Sequence, residues 1–116
     1  MILRLWHGLT PSGKARDFYD YVRQTGEPAY LQAHGNRGVM IISRPDGAFT
    51  EFLLLSFWDS IEDLKSFAGS DYETAQYPFP RDREFLVELE KKVRHFDVLS
   101  WDLRCETTGS SDLAEP

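Results

Sequence analysis

Cysteine is almost missing from this sequence: Cys105 is the single one among 116 residues. One thiol excludes an internal disulfide and any cysteine-based metal cluster. It stands close to the end of the chain, outside any evident pairing with a histidine, which argues against a thiol nucleophile. Long apolar runs are missing too. No stretch reaches the eighteen or so residues of a membrane-crossing helix. The opening residues, Met-Ile-Leu-Arg-Leu-Trp-His-Gly, show no long apolar core and no small-residue cleavage site, so no signal peptide is expected and a cytoplasmic location is the simplest expectation. There is no glycine-rich phosphate loop and no Gly-x-Ser-x-Gly nucleophile elbow. Positive charge is scarce, with 13 Lys and Arg against 19 Asp and Glu, a net charge of -6. An acidic surface repels phosphate backbones, so nucleic acid is not an expected partner. The basic group Lys91, Lys92 and Arg94 follows Glu88 and Glu90 and reads as a solvated mixed-charge surface.

What the sequence has in excess is aromatic residues. They make up 14% of the chain, as 8 Phe, 5 Tyr and 3 Trp. That exceeds what a small core needs and points to an aromatic-lined cavity or a large interface. The chain is organised around residues 49–60, which are dense in aromatic and branched side chains and free of Gly and Pro. This stretch predicts a strand, apolar on both faces at its centre from Phe52 to Leu55, hence a central strand covered on both sides. Asp59 and Ser60 offer a side-chain oxygen to cap a following helix.

In chain order, residues 2–7 alternate as a first strand, with Ile2, Arg4 and Trp6 on one face and Leu3, Leu5 and His7 on the other. Residues 8–11 predict a turn, with Thr10 as the cap and Pro11 at the first position of a helix. That helix buries Ala15, Phe18, Tyr19 and Val22 and ends at Gly26. A short helical piece is expected over 28–33, a loop over 34–38, a second strand over 39–43 and a hairpin turn at Pro45-Asp46-Gly47. A second helix over 60–68 buries Ile61, Leu64 and Phe67 and is capped by Gly69; a short helix is expected over 71–77. Phe85, Leu86 and Leu89 anchor a further short segment, and a last strand is expected over 93–99. One domain over residues 1–104 and a polar, disordered tail over 105–116 complete the reading. The order β-α-β-β-α-β predicts an α+β, ferredoxin-like antiparallel sheet with strand order 4-1-3-2. Two helices cover one face; the other, left bare, predicts a homodimer.

Two histidines carry possible chemistry. His7 ends the first strand and His95 begins the last, and a pairing register summing to about 102 sets them opposite each other. Such a pair could move a proton near neutral pH, or be only a hydrogen-bonded strand end. No His-x-His or His-x-x-x-His spacing supplies a third ligand, so no metal is expected. Arg37 could orient an anionic or enolate oxygen, with Asn36 beside it; the plainer alternative is a loop cap by Asn36 and a surface ion pair by Arg37. Tyr72, Tyr77 and Phe79 follow the second helix and, with Trp58 and Phe67, can wall a planar apolar ligand.

Several of these stretches together resemble the antibiotic biosynthesis monooxygenase-like family. They are residues 2–10 (Ile-Leu-Arg-Leu-Trp-His-Gly-Leu-Thr), 36–38 (Asn-Arg-Gly), 51–60 (Glu-Phe-Leu-Leu-Leu-Ser-Phe-Trp-Asp-Ser), 67–71 (Phe-Ala-Gly-Ser-Asp) and 93–98 (Val-Arg-His-Phe-Asp-Val). The resemblance spans about residues 1–100. It implies a homodimeric α/β barrel with a small-molecule pocket in each subunit, between sheet and helices. The activities it implies are diverse: oxidation of polycyclic phenols by dioxygen without a prosthetic group, haem degradation, or no known reaction. The haem-degrading branch places a ligand histidine where this chain has Gln76 and a tryptophan where it has Phe67, and both departures count against haem. The implied function is a cofactor-independent monooxygenase acting on a small aromatic or polyketide-like compound. His7 or His95 would be the base, Arg37 or Tyr77 the oxyanion donor, and Trp6, Asn36, Trp58, Phe67, Tyr72 and Tyr77 the substrate contacts. The alternative is a non-catalytic dimeric module that binds a small apolar or aromatic ligand.

Overall fold

The computed structural model describes residues 1–104; the expected tail, with Cys105, lies outside the described residues. Strand β3 (Phe49–Trp58) runs through the interior of a four-stranded antiparallel sheet. It lies between β1 (Ile2–Pro11) and β2 (Asn36–Asp46), and β4 (Arg94–Asp97) pairs with the other edge of β1. The resulting order, β2-β3-β1-β4, is the expected 4-1-3-2 sheet seen from its opposite edge. The fold is α+β and ferredoxin-like. Its crossovers carry α1 (Ala15–Gln24), α2 (Gly26–Gln32), α3 (Ile61–Ala68) and the single turn α4 (Asp82–Phe85).

Alternation along the strands sorts the side chains onto two faces. Arg4, Trp6, Gly8 and Thr10 of β1 lie under the helices with Thr50, Phe52, Leu54, Ser56 and Trp58 of β3. Leu3, Leu5, His7 and Leu9, with Glu51, Leu53, Leu55 and Phe57, occupy the far face. On the helix face, α1 seats Phe18 and Val22 on Trp6, Phe52 and Leu54, and Phe18 meets Phe52 edge-on at 5.0 Å between ring centres. A second cluster forms where Leu64 and Ala68 of α3 pack on Trp58, which is completely buried. The far face has no helix over it. Ile42 on β2 and Phe96 on β4 are 42% and 48% exposed there.

Local departures from the sequence reading have identifiable causes. No turn forms at 8–11, because β3 is long enough to pair β1 out to Pro11, which opposes Phe49. Thr10 is fully buried in that ladder and caps nothing; the helix opens instead through a 3-10 turn, Ser12–Lys14. Gly26 starts α2 rather than ending α1, with the break at Thr25 and Pro28 in the first turn of α2. The expected helix over 71–77 does not form: a turn at 72–73, with Thr74 N–H bonded to Asp71 O at 3.1 Å, leads into a short bridge between Thr74 and Lys92. Pro78 disfavours helical backbone before it, and the segment pairs with 91–93 through Ala75 N–H to Lys91 O at 2.8 Å and Val93 N–H to Glu73 O at 3.0 Å. That pairing leaves β4 only four residues, shorter than the expected 93–99. On α3 the buried line runs through Leu64 and Ala68, while Phe67 is 37% exposed.

Ser60 caps α3 as expected: its Oγ accepts the Asp63 N–H at 3.1 Å, and Gly69 ends the helix with a φ of 92°. Ser60→Ala leaves that N–H unpaired and is expected to cost about 1 kcal/mol in urea-unfolding free energy.

Candidate functional site

The two histidines do not face each other. β1 and β4 pair with Leu3 opposite Phe96 and Arg4 opposite His95, a register summing to 99 rather than 102. An odd shift moves a strand's side chains to the other side of the sheet. His95 therefore joins Arg4 under the helices, and His7 points to the far face.

On the far face His7 is clamped between two carboxylates. Its Nδ1 lies 2.5 Å from Glu90 Oε1 and its Nε2 2.9 Å from Glu51 Oε2, and Arg44 Nε donates to Glu51 Oε1 at 2.6 Å. Partial burial works against the imidazolium, but hydrogen bonds and charge from Glu90 and Glu51 outweigh it and hold the His7 pKa above 6.5. Glu51 is held below its ordinary 4.5 by its hydrogen bond to His7 and then by that from Arg44. His7 is thus a charged strut with both ring nitrogens engaged.

The cavity lies on the helix face, between sheet, α1, α2 and the 76–86 segment. It encloses about 290 Å³. Phe18, Val22, Leu54, Phe67, Phe79 and Leu86 make most of the wall, and Arg4, Trp6, Tyr30, Tyr77 and Asp82 supply the polar atoms. Glycine shapes one corner: a Cβ at Gly8 would collide with the Trp6 indole, which lies over that backbone. The indole N–H donates to Tyr77 Oη at 3.1 Å, and the Tyr77 hydroxyl donates on to Glu90 O at 2.7 Å. Burial pushes the Tyr77 phenol up, so it stays protonated near neutrality. Burial also raises the Asp82 carboxyl, against opposing hydrogen bonds from Phe79 N–H and Tyr21 and the charge of Arg83.

Of the residues expected at the site, Trp6, Phe67, Tyr77 and Phe79 line this cavity. Trp58 sits behind Phe67, its ring tilted 39° at 5.1 Å between centres, completely buried and with its N–H satisfied by Ser56 Oγ at 3.0 Å. Tyr72 packs edge-on against His95 at 5.1 Å, beneath the Lys65 ammonium. Asn36 accepts the Gly38 N–H at 2.9 Å beside the bulge that opens β2, and Arg37 lies at the surface 3.5 Å from Asp59; the plainer of their two readings describes them. His95 is pushed below 6.5 by burial and then by the charge of Arg4, and its Nε2 is buried without a partner. Among the described residues no three His, Cys, Asp or Glu side chains gather into a metal-binding group.

Sequence reasoning passed over Arg4, Tyr30 and Asp82. Arg4 carried a usable signal, a charge in strict alternation with Ile2 and Trp6 on a face destined for burial. Tyr30 and Asp82 carried none, since both reach the cavity through loops and short helices whose course depends on tertiary pairing.

No family model matches the sequence, and no curated protein does. Solved structures match its fold. A candidate antibiotic biosynthesis monooxygenase from Nitrosomonas europaea superimposes with a TM-score of 0.63 at 17% identity, covering 86% of this chain and all of that one. A second, from Bordetella bronchiseptica, gives 0.60 at 20%, covering 85% and 97%. A point mutant of MhuD, with two manganese protoporphyrin IX bound per active site, gives 0.58 at 14%, covering 89% and 98%. At these identities the likeness is one of fold, and the fold is the one that the sequence resemblance implied.

The His7 clamp has a signed pH dependence. A histidine raised in the folded state stabilises fully below 6.5 and loses that contribution as pH rises through its folded value; the lowered Glu51 contributes above 4.5 and is lost in acid. His7→Gln is therefore expected to destabilise by about 1 kcal/mol near pH 5.5 and by much less near pH 9, read from urea unfolding at both.

Proposed function

We propose that this chain, built on the fold of antibiotic biosynthesis monooxygenase-like structures, binds a small aromatic compound in the cavity beneath its helices and oxidises it with dioxygen without a cofactor. The observation that carries this is the cavity itself, an aromatic-walled space of about 290 Å³ with few polar groups, all convergent. Such a reaction needs a base, a donor for the resulting anion and exclusion of water. The substrate loses a proton, its anion passes an electron to dioxygen, and the two radicals combine to a peroxide. Loss of water leaves a carbonyl, so that CH₂ + O₂ gives C=O + H₂O.

Among the side chains proposed for these roles from sequence, His7 and Arg37 lie away from the cavity, and His95 stands behind Arg4. Asp82, a carboxyl on the wall whose pKa burial raises, is the better-placed base. Tyr77 lines the wall, but its proton is committed to Glu90 O, so Arg4 is the better-placed donor. The lining offers no histidine, cysteine or methionine to ligate haem iron, and its two tyrosines are already hydrogen-bonded to Trp6, Glu90 and Arg4. These residues do not fit haem, and no step is drawn through it. The committed donors also favour a second reading, a binding module with the same cavity and no turnover.

The bare far face supports a homodimer in which two sheets pack together. It presents Phe96 exposed and Leu3, Leu5, Leu53, Leu55 and Phe57 partly exposed, a contiguous apolar face of the kind that marks an interaction surface. Among the described residues no helix is long and apolar enough to cross a membrane.

In solution the chain is expected at about twice its 13.4 kDa by light scattering. Ile42→Glu with Phe96→Glu, both on exposed far-face positions, should give a folded monomer. For the chemistry, dioxygen uptake with an anthrone, in the presence of a metal chelator, is expected at one O₂ per substrate and to fall at least about tenfold in Asp82→Asn. Tight anthrone binding with no uptake would leave the binding-module reading in place of the oxygenase.

A further inference from the structure

Arg4 is the anomaly of the helix face. It is only 5% exposed, yet no carboxylate among the described residues lies within ion-pairing distance. A guanidinium has five donors. Here one is used, Nη1 donating to Tyr30 Oη at 3.1 Å, while Nε is buried with no acceptor and Nη2 has none among the described residues. Nε and Nη2 form the side edge of the guanidinium, the geometry that grips a carboxylate with two parallel hydrogen bonds. A buried, unpaired cation is a costly thing to keep, and this one lines the cavity.

The charged and titratable groups around it do not resolve the imbalance. Across β4, His95 is held neutral by burial and by the Arg4 charge itself. Tyr30 is a buried phenol that accepts from Arg4 and keeps its proton. Asp82 lines the same cavity, but no hydrogen bond or ion pair joins it to Arg4, and Arg4 is not among the charges that act on its carboxyl. The remaining donors of the wall are spent within the protein: Trp6 on Tyr77, Tyr77 on Glu90 O, Gln76 on Ala68 O and Thr25 on Tyr21 O. Among the described residues of the wall, the donors left with hydrogen bonds to give are the Tyr30 O–H and Arg4, and of these Arg4 alone carries a charge.

We propose that the cavity selects a small aromatic carboxylate, whose anionic group takes hydrogen bonds that the Arg4 guanidinium leaves unfilled while its ring lies among Phe18, Leu54 and Phe67. This rests on reading the cavity as the ligand site, and adds to it the charge of the ligand and the residue that recognises it. A charge-assisted pair with a guanidinium that otherwise lacks a counterion favours the carboxylate over a neutral analogue of the same shape.

The test compares 2-naphthoate with 2-naphthalenemethanol, the same ring carrying a neutral group, by calorimetry at about pH 7 and low salt. Naphthoate is expected to bind at least about tenfold more tightly. Arg4→Gln should abolish that difference without abolishing alcohol binding, and Arg4→Lys should restore part of it. Should Arg4→Gln fail to fold, the Arg4 Nε–H resonance of the native protein serves instead: it should shift on titration with naphthoate and stay in place with the alcohol. Equal affinity for the two compounds, or an unmoved Nε–H resonance with naphthoate bound, would overturn the carboxylate proposal and leave the cavity reading standing. Binding of neither compound would remove the cavity reading, and the proposal with it.

Discussion

The pairing of β1 with β3 decides nearly everything else. Leu5 opposite Leu55 and Trp6 opposite Leu54 fix which side of the sheet each side chain takes, because neighbouring residues on a strand point in opposite directions. That parity puts Arg4 and Trp6 under the helices and His7 outside, next to Glu51. A one-residue slip of β1 against β3 would turn His7 under the helices, away from Glu51, and wet the Trp6 indole. Register is therefore held from both faces at once, by apolar packing on one and by a charged string on the other. Both strands are apolar on both faces, which hydrophobicity alone would leave poorly registered.

The helix face in turn combines two unlike environments. Phe18, Phe52, Leu54 and Phe85 form a closed aromatic and aliphatic core. Beside it, the cavity keeps a guanidinium, two phenols and a carboxyl in surroundings that suppress ionisation of the acids and leave the cation uncompensated. A core built only for stability has little use for such a group, since apolar replacement of buried charge is commonly neutral or better. On the carboxylate proposal, what Arg4 costs in folding is retained as affinity for the bound anion.

Much of the fold was legible because it depends on local patterning. The alternation of residues 2–7, the apolar run around Phe52 and the Ser60 cap specify strand, central strand and helix start with no knowledge of the rest of the chain. The strand order followed from the element order. What escaped the sequence depended on partners distant along it. Residues 71–77 have a helical composition, but the backbone groups of 91–93 were waiting for them. The histidine pairing failed on a register that sequence leaves free. At the site, Trp6, Phe67 and Tyr77 could be found by their chemistry, since large aromatics after a strand or helix often wall a cavity. Trp58 has the same chemistry and is core, a distinction made only by what packs in front of it. Arg4 was readable in principle from its place in the alternation, and was missed because the eye follows the apolar residues of a buried face.

Glu90 lies across the outer edge of β1, where β4 has already ended. Its carboxylate holds His7 on one side of the sheet and its carbonyl holds Tyr77 on the other, while Val87 N–H bonds Leu9 O at 2.8 Å nearby. The segment that roofs the cavity is thus fastened to β1 at its rim, at Glu90 on both faces of the sheet and at Val87. Loosening the roof to admit a guest disturbs the outer surface of the sheet in the same motion, so guest entry and the state of that surface are thermodynamically linked, each able to report on the other.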